Sequence, residues 1–200
     1  EKDITFIESD INHRDRIRDE GKSKNLDTKE YYKKINNFFS YISNIFGKKV
    51  IICVNPKYSI EKAKKNFKKF KVVKYKTQEY ITKSFIVCFH DSSAILEAFY
   101  LNKNIISIQY SKMGKIYAIR NNIYHKHVPI YTCSLDAAYN YNKKYFLNKF
   151  DQAKKYYPSF QKKFLVQDMD KSGSDQIYKI LKTEIFKLNV LKTKKIIKSN

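Results

Sequence analysis

Glycine is scarce, with four in 200 residues, and none falls in a GxGxxG or GxxxxGKS pattern. A dinucleotide or nucleoside triphosphate held in the usual way needs glycines where backbone amides approach the phosphates closely. That shortage argues against a nicotinamide Rossmann enzyme and against a P-loop NTPase. GxSxG, HExxH and a Ser-His-Asp order are also missing, which removes the common hydrolase and metalloprotease signatures. The three cysteines, Cys53, Cys88 and Cys133, are too few and too dispersed for a zinc site or a disulfide framework. Cys53 and Cys88 lie inside apolar runs, where a reduced thiol behaves as a small hydrophobe, so a reducing, cytoplasmic setting is expected. No run of about 18 apolar residues is present to span a bilayer. The sequence requires no metal and no other cofactor.

Arginine is the next scarcity. Against a net charge of +22 there are only Arg14, Arg16, Arg18 and Arg120. Readers of bases and clamps on phosphate favour arginine for its bidentate fork, so a lysine surface is a weak nucleic-acid signature. It suits nucleoside diphosphates, acidic glycans or an anionic membrane face better. Lys, Asn, Ile, Tyr and Phe are abundant together, as an AT-rich coding sequence gives, and part of the charge follows from that. The chain opens on Glu1 rather than Met, and the expectation is a processed chain or a piece of a longer one.

Hydrophobic residues make up 42% of the chain, enough for one sizeable core, so residues 1–200 read as a single domain. "ITFIES" (4–9) reads as a strand. Residues 10–27 are charged and low in apolar residues and read as a mobile loop. Tyr31, Ile35, Phe38, Phe39, Ile42, Ile45 and Phe46 then recur at helical spacing, with Asp27 and Glu30 resembling a capping box and Gly47 a C-terminal stop. "KKVIICV", "KVVKYK", "FIVCF" and "NIISIQY" read as strands. "SIEKAKKNFKKF", "TQEYITKS" (capped by Thr77) and "SSAILEAFYLN" read as the helices between them. Strand and helix in this rhythm predict an α/β fold, a Rossmann-like parallel sheet with helices on both faces. Past Ser111 the pattern predicts a helix over "KMGKIYAIRNNIYH", a strand at "VPIYTC" and a mainly helical part over 134–200, ending in a helix capped by Ser174.

In such a sheet ligands bind beyond the carboxyl ends of the strands, where helix N-termini aim N–H groups at anions. Three junctions carry polar residues there: "NPKYS", "KTQE" and "HDSSA". As the ends of successive strands they are expected to line one crevice. Ser92 and Ser93 can donate hydroxyls to a phosphate, and His90 can donate to it or assist a leaving group. A plain N-cap explains any one of these residues, but not four in a row. Glu97 is either a solvated helix carboxylate or an acceptor for a pair of ribose hydroxyls. Lys57, Lys76 and Thr77 are phosphate contacts or ordinary surface residues. Glu8 and Asp10 can form a general-base pair, though the charged stretch around them favours a solvated loop.

"YYKKINNFFSYISNIFGKKVIICVNPKYS", "KYKTQEYI" and "FHDSSAILEAFYLNKNIISI", in that order, resemble the C-terminal, donor-binding half of GT-B glycosyltransferase-like proteins of bacterial surface-polysaccharide biosynthesis. The resemblance covers about Tyr31 to Ile108. It implies that Asn55 and Pro56 stand at the His-Pro position known also from bacterial sialyltransferases, and that Ser92 and Ser93 form the phosphate-binding serine pair. It further implies that Glu97 holds the ribose. Asn55 replaces the histidine of that motif, and Asn104 replaces the proline that precedes the next strand. The implied activity is glycosyl transfer from a nucleotide-sugar donor to a capsular or lipo-oligosaccharide acceptor at the inner membrane face. The acceptor half would lie outside this chain. Two other readings stand beside it: a noncatalytic basic module that binds an acidic glycan or membrane, and an epimerase-like protein acting on sugar nucleotides.

Overall fold

The computed structural model describes residues 3–9, Ile11 and 27–165. The expected loop over 10–27, apart from Ile11 and Asp27, and the expected terminal helix from Ser174 lie outside the described residues. The chain divides into two compact units, Glu1–Pro158 and Ser159–Asn200. The first holds a six-stranded sheet: β1 (Ile4–Ile7), β2 (Val50–Val54), β3 (Lys71–Lys74), β4 (Ile86–Phe89), β5 (Asn104–Gln109) and β6 (Tyr131–Ser134). Every pairing is parallel and the strand order is β3-β2-β1-β4-β5-β6. Connecting the strands are α1 (Thr28–Phe46), α2 (Ile60–Asn66), α3 (Thr77–Lys83), α4 (Ile95–Tyr100) and α5 (Lys115–His125). After β6 come α6 (Lys143–Lys154) and a short α7 (Tyr157–Phe160), with a π-helical turn at Gln161–Leu165. The Rossmann-like α/β architecture expected from the alternation is the one observed.

Both sheet faces are buried, as parallel strands require. Registered neighbours Phe6, Ile52, Cys88 and Ile106 point to one face and join the main core. There Phe6 meets Phe39 of α1 with ring centroids 4.9 Å apart and Phe67 at 6.2 Å. Phe46 of α1 reaches Phe146 and Phe150 of α6. On the opposite face, Thr5 bonds to the Tyr80 carbonyl, in the middle of α3, and to Ser84, just beyond its end. Phe89 and Phe99 pack around Tyr124 on that same side. Burying one such phenylalanine contributes about 1.5–3 kcal/mol.

Local chemistry sets the ends of α1. Asp27 accepts from the Lys29 and Glu30 amides at 2.9 and 3.1 Å. The reciprocal half of the expected capping box is not made, because the Glu30 carboxylate turns to Lys112 at 2.6 Å. Gly47 ends the helix at φ 61° and ψ 36°, and its amide and that of Lys48 return to the Ser43 carbonyl. At α3 the cap position falls on Lys76, without a side-chain bond, and Thr77 is the first helical residue. No helix among the described residues is long and apolar enough to cross a membrane.

Gly47→Ala tests the left-handed stop alone, since nothing lies within 4 Å of an added Cβ. It should destabilise by about 1 kcal/mol, read as a lower urea midpoint with an unchanged m-value.

Candidate functional site

Because β1 sits between β2 and β4, the three polar junctions are not the ends of three neighbouring strands, as their succession in the chain suggested. At about 4.8 Å per strand, the end of β3 lies about 14 Å from the end of β4. Lys76 and Thr77 therefore stand at the sheet edge, apart from Ser92 and Ser93. Strand order reverses between β1 and β4, the place where such sheets hold ligands. Here that point is bridged by the Ser9 hydroxyl, which donates to the Asp91 carbonyl. Next to Ser9, Glu8 is only 2% exposed, so the solvated loop expected for it is wrong; Asp10 lies outside the described residues.

His90 closes β4 and is 1% exposed. Its Nδ1 lies 2.7 Å from the Ile108 carbonyl, which can only accept, so Nδ1 carries the proton. Nε2 then accepts from the Tyr31 hydroxyl of α1, also at 2.7 Å. Phe6 packs edge-on against the ring. Burial lowers the imidazole pKa to about 4, against a smaller opposing effect of the Ile108 bond. The expected role as donor to a leaving group is thus not what the geometry offers: the ring is neutral and joins α1 to β5. Burial, and then the charge of Glu8, push the Tyr31 phenol well above its ordinary range.

The other expected residues also have local partners. Asn55 accepts the Lys57 amide on Oδ1 and the Tyr58 amide on its carbonyl, each at 2.9 Å. With Pro56 second in the turn, this is an Asx-supported β-turn that leaves Asn55, Pro56 and Lys57 exposed. Ser92 accepts the Ala94 amide on its hydroxyl oxygen at 3.3 Å. The Ile95, Leu96 and Glu97 amides bond to the Ser92, Ser93 and Ala94 carbonyls. The first amides of α4 are spent on this tight turn, so they do not form the expected phosphate cradle. Glu97 faces α3: burial raises its pKa, and hydrogen bonds to Gln78 and Thr82 oppose the rise. The carboxylate thus faces a neighbouring helix instead of presenting a ribose acceptor at the strand ends.

A cleft of about 190 Å³ does open at the carboxyl ends, beyond β4, β5 and β6. His90 and Ile108 line it, with Tyr110, Ser111, Gly114, Tyr117 and Ser134 supplying most of its polar wall. Gly114, at φ 100° and ψ 167°, occupies a conformation open essentially to glycine alone, and caps α5 without a side chain. Four charges brace the rim. Lys112 meets Glu30 at 2.6 Å, while Lys34 meets Asp136 at 2.8 Å and Glu30 at 3.5 Å. The Asp136 carboxylate also accepts the Ser111 amide at 3.0 Å. Burial works against ionised Asp136, but Lys34 and Ser111 outweigh it and hold the carboxyl below its usual range. Burial, reinforced by Glu30, lifts the Tyr110 phenol to about 12. Of the described residues singled out from sequence only His90 lines this cleft. "QYSKMGK", a polar, glycine-bearing stretch straight after a buried strand, carries the signal that marked the other junctions and was missed. No family model matches the chain, and no curated protein matches it.

The neutral, buried imidazole has a pH consequence. Between about pH 6.5 and 4 the unfolded chain takes up the His90 proton and the folded chain does not. Stability conferred by the buried ring is complete above that window and is lost as pH falls through it, toward about 3 kcal/mol. Urea melts at stepped pH check this. His90→Asn, which keeps a donor for Ile108, should be less stable at neutral pH and lose less on acidification.

Proposed function

We propose that this chain binds a nucleotide sugar at the carboxyl-end cleft and serves as the donor-binding half of a bacterial glycosyltransferase. Its acceptor in this reading is a capsular or lipo-oligosaccharide glycan. The observation that carries the proposal is a polar cleft beyond the carboxyl ends of β4, β5 and β6, beside the switch point of a 3-2-1-4-5-6 sheet and at the end of the sheet where such folds take ligands. The missing glycines disfavour a dinucleotide, and the choice of a sugar nucleotide rests on the resemblance of the motif order from Tyr31 to Ile108, not on its polar side chains, which have local partners.

In this reading the Ser111 hydroxyl, the Ser134 hydroxyl, whose proton stays free to donate while its oxygen accepts the Asp136 amide at 3.2 Å, and the uncapped start of α5 take the phosphates. Gly114 lets the backbone approach them without a Cβ in the way. Tyr110 and Tyr117 wall the base or sugar. The cleft is smaller than the roughly 300–1,000 Å³ of most small-molecule sites, so it suits the pyrophosphate end with the remainder of the donor outside. Lys34 and Lys112 exchange their carboxylate partners for the phosphates and offset charge on the departing nucleotide. His90 orients α1 and β5 and transfers no proton.

Titration of the chain with UDP, GDP, CDP and CMP, followed by calorimetry or NMR, tests the proposal. Saturable binding of at least one nucleotide at millimolar concentration or below is expected. Ser111→Ala with Ser134→Ala should weaken it about a hundredfold or more, in line with two lost hydrogen bonds to charged oxygens at about 1.5–3 kcal/mol each. Ser92→Ala with Ser93→Ala should leave it within about threefold. Failure of all four nucleotides to bind would sink the reading, and loss confined to the Ser92/Ser93 pair would move the phosphate to α4.

A further inference from the structure

Residues 57–76 are a tenth of the chain, yet they hold nine lysines and a single carboxylate, Glu61. They form α2, the turn after it and β3, the outermost strand beside β2. Lys62, Lys64, Lys65, Lys68 and Lys69 are exposed, and none of them makes an ion pair with a described residue. Charge of one sign collected on one sheet edge, offset only in part by Glu61 and Glu79, costs self-repulsion and does nothing for the core.

Tyr75 stands at the carboxyl end of that edge. It is 75% exposed and has φ 61°, a left-handed backbone that a tyrosine adopts only under strain. Its ring is flanked by Lys76 in sequence and lies 5.1 Å from the Lys74 ammonium. An aromatic ring held out in water, in a strained conformation and amid cations, is arranged for something outside the fold.

We infer that the α2–β3 edge is a docking surface for an anionic lipid membrane, with Tyr75 entering the headgroup layer. Three features favour lipid over nucleic acid. Residues 57–76 contain no arginine, so the bidentate fork that reads phosphate and base geometry is missing. A single exposed ring is no stacking platform for successive bases. Attraction to an anionic leaflet is diffuse and asks only for clustered lysines near the surface, while tyrosine sits naturally at the headgroup level. The inference does not rest on the nucleotide-sugar reading, because none of these residues lines the cleft.

The chain has no tryptophan, so Tyr75→Trp installs a single tryptophan at the proposed contact, excited selectively above the tyrosine band. With vesicles of phosphatidylcholine and phosphatidylglycerol at 3:1, its emission should shift to the blue. Pure phosphatidylcholine vesicles should leave it unchanged. Reversing Lys64, Lys65, Lys68 and Lys69 to glutamate should weaken cosedimentation with the anionic vesicles by about tenfold or more. The same reversal at exposed Lys126, Lys143, Lys144 and Lys155 removes equal charge beside β6 and should weaken it less than about threefold. Thermal melts of each variant confirm that it is folded. Equal losses from the two reversals would mean that overall charge, not this edge, binds the vesicles. An unshifted tryptophan on sedimenting protein, or tighter binding to poly(U) than to vesicles at equal salt, would likewise overturn the inference.

Discussion

The arrangement at the carboxyl end of the sheet depends on one imidazole remaining uncharged. His90 lies at the end of β4, takes a hydrogen bond from Tyr31 on α1 and gives one to the Ile108 carbonyl on β5. In the neutral ring one nitrogen accepts while the other donates, so both bonds are made without a charge. Protonation would keep the Ile108 bond and require only that the Tyr31 hydroxyl turn its hydrogen away and accept; what opposes it is the burial of a charge beside Phe6 and the sheet. A helix, two strands and one wall of the cleft thus share one protonation state.

Around this fixed centre the charged groups have a different role. Glu30, Lys34, Asp136 and Lys112 are partly exposed, and pairs of that kind contribute little to stability. Their value is geometric. Lys112 and Ser111 belong to the stretch after β5, Glu30 and Lys34 to α1, and Asp136 to the stretch after β6. The rim is held by contacts that water and salt can loosen, while the floor is held by buried neutral bonds. A ligand can rearrange such a rim without disturbing the sheet beneath.

Much of the fold was legible in the sequence because its signals are local. Period 3.6 in Tyr31–Phe46, unbroken apolar runs such as Val50–Val54, the cap at Asp27 and the stop at Gly47 each depend on neighbours within a few residues. Strand order does not. Nothing near "ITFIES" states that it lies between β2 and β4, and that one placement separates Lys76 and Thr77 from Ser92 and Ser93. The burial of Glu8 has the same origin, since a strand in the middle of the sheet keeps the residue that follows it inside, its amide still bonded to the Cys53 carbonyl. Ser92, Glu97 and Asn55 show another limit. Small polar residues after a strand look alike whether they wait for a ligand or satisfy the adjacent backbone, and here the turn amides and the neighbouring helix claim them.

Cys53, Cys88 and Cys133 are all buried and free, and they fall on β2, β4 and β6, every second strand across the sheet. Burial also pushes each thiol upward in pKa, so the reactive thiolate is rare as well as inaccessible. Each thiol therefore becomes alkylatable only when its own strand is uncovered. Left in place, they are three native clocks, and the order in which they react would record whether the sheet breathes from an edge or opens all at once.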